Sequence, residues 1–563
     1  MKSNRILALL AAALIFGNTA IAQHDPVAMG LHAITKEAIK GQLDFLASDW
    51  MEGRETSTRG EFMAGDYISS VFQIYGLQPA GDMVGGGYNF SMDQAYLFMS
   101  GSRPKMNPPS RGYFQNIPFV QTLKSESSME LISQEGNQQR KFVLTQGRDS
   151  SVQATGTGQE ITASIVFIGY GYKNDSLGYD DFKGLDLKGK IVLRINGLPG
   201  NRDTTSMAYK KLNLKDRNTL YQSYQVKDNL LRKYEVAGVI DYPGFRMGNP
   251  VNIPFRYNTR IYEGEKPLNS NLLNISLPVD TLAASVIIIS LAPKVVTEIM
   301  NGSGINIKEF EENAATKLKT GSREIKGKSI HLTASTTTQT VRGRNVLAMI
   351  EGENPNEIVV VGAHYDHLGT YNGYIWNGSD DNASGTVGVM TLAKAFVATG
   401  VKPKKTIIFA AWTGEEKGLL GSQYFVDKYP HQENLVLDLN FDMISRRPEK
   451  DTSGFKAGMD YTEAFPVLKD LVEKANTQYE LGLDIKFRPA KQPTGGTDFE
   501  AFAQKKVPVY GFDAAFTTDY HGPMDHSDKA NLDLMQKIIK AGFISLYELA
   551  NTEGKIRTNE LKK

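Results

Sequence analysis

The chain of 563 residues is longer than one hydrophobic core usually covers, so more than one compact unit is expected. Its 63 basic and 62 acidic residues leave a net charge of +1, so no nucleic-acid or acidic-membrane partner is implied. The absence of cysteine excludes disulfides, thiolate metal ligands and lipid attachment through a cysteine.

The N-terminus has the pattern of an export signal. Lys2 and Arg5 precede the apolar run 6–16, and small residues follow at 20–22. We therefore expect residues 1–22 to be a cleaved signal peptide, with a periplasmic or secreted mature chain. A membrane anchor is the alternative, but the run is short for a span of about 20 residues, and no later run is long enough. After cleavage we expect no integral membrane segment.

The next part of the chain predicts helices. Apolar residues recur at helical spacing between 34 and 77, and the polar segment 52–55 interrupts them, which indicates two helices joined by a turn. The Gly- and Met-rich stretch 81–111 is typical of a long surface loop or insertion. We assign residues 23–117 to the first part of a domain that resumes at residue 341.

Residues 118–340 form a region of different character. Short β-type runs such as 165–168 and 191–195 alternate with Gly, Asp and Asn turns, which predicts a separate β-rich module. Its segments 169–171, 179–181, 188–192 and 237–240 resemble the protease-associated domain that is inserted in several exopeptidase families. The Gly-Lys pairs lack the Ser/Thr of a phosphate-binding loop, so nucleotide binding is not expected.

From residue 345 onward, strand and helix patterns alternate. The predicted strands are 358–361, 406–412, 435–441 and 507–512, and the predicted helices are 384–398, 419–428 and 532–550. This alternation predicts an α/β fold with a mixed, mostly parallel sheet sandwiched by helices. Polar residues follow the strand ends, and in open parallel sheets that edge is where ligands bind.

Five residues of metal-ligand type occur in this part of the chain. They are His364, Asp381, Glu416, Asp442 and His521. Two imidazoles and three carboxylates can hold two divalent ions if one carboxylate bridges them, and the adjacent Glu415 could then act as a base on water. Three carboxylates and one hydroxide would also balance four positive charges. Nitrogen and oxygen ligands suit zinc, although manganese or cobalt could take the same geometry.

Each of these residues also has an ordinary structural explanation. His364 could bond to the adjacent loop, Asp381 could cap a helix, and Glu415 with Glu416 could be solvated surface charge. Asp442 could belong to a turn, and Asp380 is expected to be a turn or cap residue. The combination of all five residues, rather than any one motif, supports a metal site.

The motifs His364-Tyr365-Asp366, Asp381-x-x-Ser-Gly, Glu415-Glu416, Asp442-Met-Ile and His521-Gly-Pro resemble the M28 family of zinc aminopeptidases in order and approximate spacing. The resemblance covers residues 341–550, and 46–48 with 52–54 resemble the family's N-terminal segment.

The resemblance implies a zinc exopeptidase fold, with a catalytic domain at 341–563 and a protease-associated-like insertion at 118–340. It implies that His364 and Asp442 hold one zinc, Glu416 and His521 hold the other, and Asp381 bridges the two. It further implies that Glu415 is the general base and that Asp366 orients His364.

The resemblance implies a metallo-exopeptidase that removes N-terminal residues from peptide substrates with two Zn²⁺ per chain. The alternatives are a glutaminyl-cyclase-like zinc transferase, a carboxypeptidase of the same fold, and a non-catalytic protein of the transferrin-receptor type. Some family members polarise the carbonyl with a Tyr in a loop that here reads Thr494-Gly-Gly-Thr-Asp498. The oxyanion-stabilising residue is therefore open, and Asp498 is expected to shape its loop. Oligomeric state and side-chain preference are not readable.

Overall fold

The computed structural model describes residues 25–86, 99–100, 108–146, 148–153, 158–201, 203–215, 217–242, 274–278, 286–371 and 373–554. The predicted signal peptide and much of the 81–111 stretch lie outside these residues. Among the described helices, none combines the length and apolar character that crossing a bilayer requires.

The described helices fall into three groups along the chain. They are α1 Pro26–Ala33, α2 Lys36–Leu46 and α3 Arg59–Ile74; α4 Met207–Lys211, α5 Arg217–Lys233, α6 Pro293–Met300 and α7 Ile307–Lys317; and α8 Gly385–Ala398, α9 Leu420–Lys428, α10 Val467–Gln478, α11 Phe499–Gln504 and α12 Leu532–Asn551. The two helices predicted near the N-terminus are α2 and α3, and the turn between them includes the 3-10 segment Asp49–Arg54.

The strands of the first half are β1 Gln78–Pro79, β2 Met83–Val84, β3 Ser110–Arg111, β4 Phe114–Glu135, β5 Gln138–Leu144, β6 Ser150–Gln153, β7 Gln159–Phe167, β8 Lys173–Asn174, β9 Tyr179–Asp180, β10 Ile191–Ile195, β11 Gly238–Tyr242, β12 Asn274–Ser276 and β13 Ile287–Leu291. Those of the second half are β14 Arg323–Ile350, β15 Asn354–His364, β16 Gly369–Tyr371, β17 Tyr374–Trp376, β18 Lys405–Trp412, β19 Leu435–Phe441, β20 Lys456–Thr462, β21 Asp484–Ala490 and β22 Val509–Asp513.

A mixed, mostly parallel sheet forms the centre of the C-terminal part. Its strands follow the order β21-β20-β22-β19-β15-β18-β14. The neighbours β22, β19, β15 and β18 are parallel, whereas β14 and β20 join them in antiparallel fashion. The predicted fold class is confirmed. In the register of β15 and β18, His364 lies opposite Trp412, so these two strands end at the same level.

Helices cover both faces of this sheet because side chains alternate along each strand. Val359 and Val361 of β15 belong to one hydrophobic cluster, together with residues of α2, α3, α8, α10 and α12. Ile358 and Val360 belong to another cluster, together with residues of α9 and α11. Apolar residues therefore occupy both sides of β15, as expected for a central strand of a sandwiched sheet.

The region between β4 and β14 has hydrophobic clusters of its own. Strands β7, β10, β11 and β13 are parallel neighbours, and residues of α6 and α7 pack against them. These helices were not anticipated from the β-type runs. The long strand β14 pairs with β7 near its start and with β18 near its end, so the strands of both regions belong to one continuous sheet. The boundaries 118–340 and the likeness to a protease-associated domain stay a proposal.

Candidate metal centre

The strand ends bring four of the candidate residues to one edge of the sheet. His364 is the last residue of β15, and Asp442 follows the last residue of β19. Glu415 and Glu416 follow β18 after a Thr-Gly turn whose glycine has a φ of 71°. Because β19, β15 and β18 are parallel neighbours, their carboxyl ends carry these side chains to the same place.

Asp381 lies at the centre of the cluster, in the turn before α8. Its Oδ1 is 3.3 Å from Nε2 of His364, and its Oδ2 is 2.9 Å from Nε2 of His521. Its backbone N–H donates to Oδ2 of Asp525 at 3.1 Å. Burial alone would raise the pKa of Asp381, but the hydrogen bonds from the two imidazoles hold it well below its usual range. The carboxylate thus presents one oxygen to each of two positions, as a bridging ligand would.

The first position is surrounded by His364, Asp381 and Asp442, whose ligand atoms all lie within 4.8 Å of one another. Nε2 of His364 is 3.4 Å from Oδ1 of Asp442 and 3.7 Å from Oε2 of Glu415. Two ligands at zinc–ligand distances of 2.0–2.1 Å in a tetrahedral arrangement are about 3.3 Å apart. The separations among the three residues fit such an arrangement.

The other ring nitrogen of His364, Nδ1, contacts a backbone oxygen. Its Nδ1 lies 3.1 Å from the backbone oxygen of Asp366 and 3.8 Å from Oδ1 of the same residue. The Asp366 carboxylate instead accepts from the Thr56 hydroxyl at 2.8 Å and from the Glu415 backbone N–H at 3.1 Å. A donor role for Nδ1 leaves Nε2 free of its proton and facing the first position. The predicted orienting role of the Asp366 carboxylate stays a prediction.

The second position lies between His521, Asp381 and Glu416. Nε2 of His521 is 3.2 Å from Oε2 of Glu416. A further imidazole reaches this position, because the ligand atoms of His367, Asp381 and Glu416 also lie within 4.8 Å of one another. The sequence interpretation assigned no role to His367. Its signal was visible, since it stands three residues after His364 at the same strand end.

Glu415 and Glu416 have displaced pKa values. Burial raises the pKa of Glu416, as does Asp381, but His521 and His367 lower it to about 2. For Glu415, burial raises the pKa well above its usual range; His364 opposes this effect, and Glu416 and Asp442 add to it. Displaced carboxyl groups concentrated in one place are typical of catalytic and metal-binding sites.

Tyr520 is a second residue that sequence reasoning missed. Its ring stacks on His521, with 3.8 Å between the ring centroids. Burial raises the pKa of Tyr520 far above its usual range, and Asp381, Glu416 and Glu415 raise it further. The phenol therefore lies within the electrostatic field of the acidic cluster. Its signal in the sequence was only its place directly before His521.

Side chains of the N-terminal segment contact the loops that carry the candidate ligands. The buried Arg54 side chain donates to the backbone oxygens of Tyr365 at 2.7 Å and Gly378 at 2.8 Å. The buried carboxyl of Glu61 accepts from the hydroxyls of Tyr365 and Thr413. Because these residues flank the strand ends and the turn before Asp381, a segment some 300 residues away in sequence holds the ligand-bearing loops in place.

Two other acidic residues are buried near the site. Asp380 was expected to be a turn or cap residue. It lies in the turn before α8, and its Oδ1 accepts from the backbone N–H and the hydroxyl of Ser445, at 2.9 and 2.8 Å. Asp380 thereby ties the turn before α8 to the loop after β19. Asp498 lies fully buried at the start of α11, where burial raises its pKa to about 7. Its predicted loop-shaping role stays a prediction.

The arrangement fits divalent cations on chemical grounds. Carboxylate oxygens of Asp381, Glu416 and Asp442 converge on imidazole nitrogens at separations of 2.9–3.4 Å. Acidic groups packed at a buried sheet edge require positive charge to remain ionised together. All the donor atoms are nitrogen or oxygen, the set that zinc accepts in sites with an open position for water.

Comparison with known proteins links this part of the chain to one family. Residues 345–543 match the sequence profile of Peptidase family M28. A probable leucine aminopeptidase 2 from Arthroderma benhamiae is 32% identical over 206 residues, which are 36% of this chain and 39% of that protein. Leupeptin-inactivating enzyme 1 from Streptomyces exfoliatus is 30% identical over 194 residues, or 33% of this chain and 40% of that protein. The chain thus matches about two fifths of the length of these curated relatives.

The likeness to solved structures extends over most of the chain. The aminopeptidase from Aneurinibacillus sp. strain AM-1 superimposes with a TM-score of 0.50 and covers 95% of this chain and 98% of its own. The sequence identity is 17%, so the likeness concerns the fold. It extends beyond residues 345–543 to the parts of the chain that the family profile does not match.

Proposed function

Because residues 345–543 match the sequence profile of Peptidase family M28, we propose that the chain is an exported di-zinc aminopeptidase that removes N-terminal residues from peptides. The position of Asp381 is the observation that carries the proposal, since its two oxygens face His364 and His521, one on each side. The relatives named leucine aminopeptidase support the choice of an exopeptidase.

The proposed zinc ligands divide into two sets that share Asp381. His364 and Asp442 would complete one set, and Glu416 and His521 the other. Zinc held there would supply Lewis-acid polarisation of the scissile carbonyl and a water whose pKa is close to neutrality.

Glu415 is the proposed general base. Its Oε2 lies 3.7 Å from His364 Nε2, close to the first position. Its backbone N–H donates to the carboxylate of Asp366. Its carboxylate would take the proton of the attacking water and return it to the leaving amine. Tyr520 is the proposed donor to the developing oxyanion, because it lies beside His521 in the field of the same carboxylates.

Two substitutions test these roles. Glu415→Gln removes the base but none of the proposed ligands, so we expect turnover to fall by about 10²- to 10⁴-fold while two zinc ions per chain are retained. Glu416→Gln removes a ligand oxygen and should lower the zinc content. The exposed Glu480→Gln serves as the matched control. Unchanged hydrolysis of aminoacyl reporters by Glu415→Gln would refute the assignment.

A substrate profile separates the alternatives. We expect purified, zinc-loaded protein to cleave free aminoacyl reporters and to leave their N-acetylated forms intact. Cleavage of blocked peptides from the carboxyl end would identify a carboxypeptidase. Release of pyroglutamate from N-terminal glutamine would identify a cyclase-like transferase. Absence of any turnover together with failure to bind zinc would favour a non-catalytic protein.

Export is a separate part of the proposal, supported by the basic, apolar and small-residue pattern of residues 1–22. Protein recovered from the periplasm or the medium should begin at Gln23 when its N-terminus is sequenced. Recovery of the chain with residues 1–22 intact in the cytoplasmic fraction would contradict the proposal.

A further inference from the structure

His367 has a fixed position beside the second set of ligands. Its side chain is fully buried, and its backbone N–H donates to the oxygen of Arg54 at 3.1 Å. Its ring lies against Gly378, which has a φ of 55° and where a Cβ atom would collide with the imidazole. Backbone and ring contacts therefore determine where the two ring nitrogens point.

Only one contact of the ring with the acidic cluster has hydrogen-bond length. Nδ1 of His367 lies 2.8 Å from Oε1 of Glu416, but 3.9 Å from Oδ2 of Asp381. The other oxygen of Glu416, Oε2, lies 3.2 Å from Nε2 of His521. The two oxygens of one carboxylate are thus directed to two different imidazoles.

The distances to Glu416 and Asp381 differ between His367 and His521. Ligands that share a tetrahedral zinc are about 3.3 Å apart, which matches the separation between His521 and Glu416. The 2.8 Å between Nδ1 of His367 and Oε1 of Glu416 falls within the range of a charge-assisted N–H···O bond. Oδ2 of Asp381 lies 2.9 Å from Nε2 of His521 but 3.9 Å from Nδ1 of His367, so His521 is the imidazole nearer to the oxygen that faces the second position.

We propose that Nδ1–H of His367 donates to Oε1 of Glu416 and so directs Oε2 towards the second metal position. His367 is then a positioning residue that acts through Glu416. This inference rests on the proposed function, because it requires a second zinc.

The test is an equilibrium zinc titration against a competing chelator, read as zinc bound per chain. His367→Ala should weaken the second zinc by roughly 10- to 100-fold, the usual cost of removing an outer-shell partner, and leave the first zinc unchanged. His367→Asn places an amide N–H close to the position of Nδ1 and should restore most of the affinity. His367→Gln places its amide near Nε2 and should behave like His367→Ala. The exposed His431→Ala is the matched control.

The possible results separate this inference from the proposed function. If the wild-type protein binds fewer than two zinc ions, the di-zinc proposal fails and this inference fails with it. If the wild type binds two and all three variants bind them equally well, His367 does not position Glu416. If His367→Asn is as weak as His367→Ala, the imidazole is itself a ligand and the inference is overturned. Should His367→Ala not fold, the comparison of Asn with Gln decides by the same criteria.

Discussion

Two features of Tyr520 bear on its proposed role as a donor to the oxyanion. It stacks on His521, and the carboxylates of the site affect its pKa. If it donates to the oxyanion, Tyr520→Phe should lower kcat by about 10²-fold with little change in KM or in zinc content. Steady-state kinetics and metal analysis check this result, with Tyr479→Phe as a control on a distant helix end. An unchanged kcat would leave another group to stabilise the oxyanion.

Asp181 provides a pH-dependent contribution to stability outside the metal site. It is fully buried, and its Oδ2 accepts from the backbone N–H of Tyr170 at 3.0 Å and of Tyr172 at 3.2 Å. Burial raises the pKa of Asp181 to about 7. The folded state therefore holds the proton more tightly than the unfolded state does, and stability falls as pH rises from about 4 to about 7.

Asp181→Asn should remove this dependence, because an amide does not ionise. Relative to the variant, the wild type should lose at most roughly 4 kcal/mol of unfolding free energy between pH 4 and pH 8. Urea unfolding of both proteins across this range measures the difference. The exposed Asp186→Asn in the same region should show a constant difference. A constant difference for Asp181→Asn as well would mean that Asp181 is ionised in the folded protein throughout this range.

The N-terminal segment from the 3-10 segment Asp49–Arg54 to α3 holds the loops that carry the proposed ligands. Besides Tyr365 and Gly378, the guanidinium of Arg54 donates to the backbone oxygens of Leu46 and Asn377, each at 2.6 Å. The planar guanidinium satisfies four carbonyls that face different directions, whereas an ammonium group on a flexible stem reaches fewer of them. The geometry of the Arg54 guanidinium therefore fits the four backbone carbonyl groups that it joins.

Arg54→Lys should destabilise the protein by about 3 kcal/mol, because it leaves buried carbonyl oxygens without donors. We also expect weaker zinc binding, since the backbone on both sides of the ligands loses its support. Thermal unfolding and zinc titration measure the two effects. Arg59→Lys in the same segment is the control, because its side chain is 74% exposed. Equal stability of both variants would show that the Arg54 contacts do not hold these loops.

The two regions of the molecule have separate hydrophobic clusters, although they share one sheet. The candidate metal centre belongs to the region built on β15, β18 and β19. Asp181 lies in the other region, where residues of β7, β10 and β13 form the core. Binding energy at the metal centre should therefore stabilise mainly the first of these regions.

Removal of zinc should destabilise the region built on β15, β18 and β19 by roughly 4 kcal/mol for each site that was occupied at 1,000 times its dissociation constant. Differential scanning calorimetry with excess chelator should show this region unfolding at a lower temperature, and added zinc should reverse the change. Chelator saturated with zinc beforehand is the control. Identical melting curves with and without chelator would argue against cations as part of the folded protein.

The sequence by itself determined the local features of the C-terminal part. Alternating strand and helix patterns predicted β15, α8, β18, α9, β19, β22 and α12 in the right order, and the strand Leu435–Phe441 was predicted to the residue. The short strands β16 and β17 and the helices α10 and α11 were not predicted. Strands β20 and β21 were missed, because their mixed polar and apolar residues lie towards the edge of the sheet, where apolar runs are not required. Hydrophobic periodicity and turn chemistry are local properties, so they are legible without a fold.

Only the tertiary structure decided which distant side chains meet. It showed Arg54 against Gly378, His521 beside Asp381 and His367 beside Glu416. It also showed that β14 carries one sheet through both regions of the chain. No spacing rule reaches across such separations, because the contacts depend on how sheets, helices and loops pack in three dimensions. The sequence shows which residues can bind a metal. The packing determines which oxygen of each carboxylate faces which imidazole.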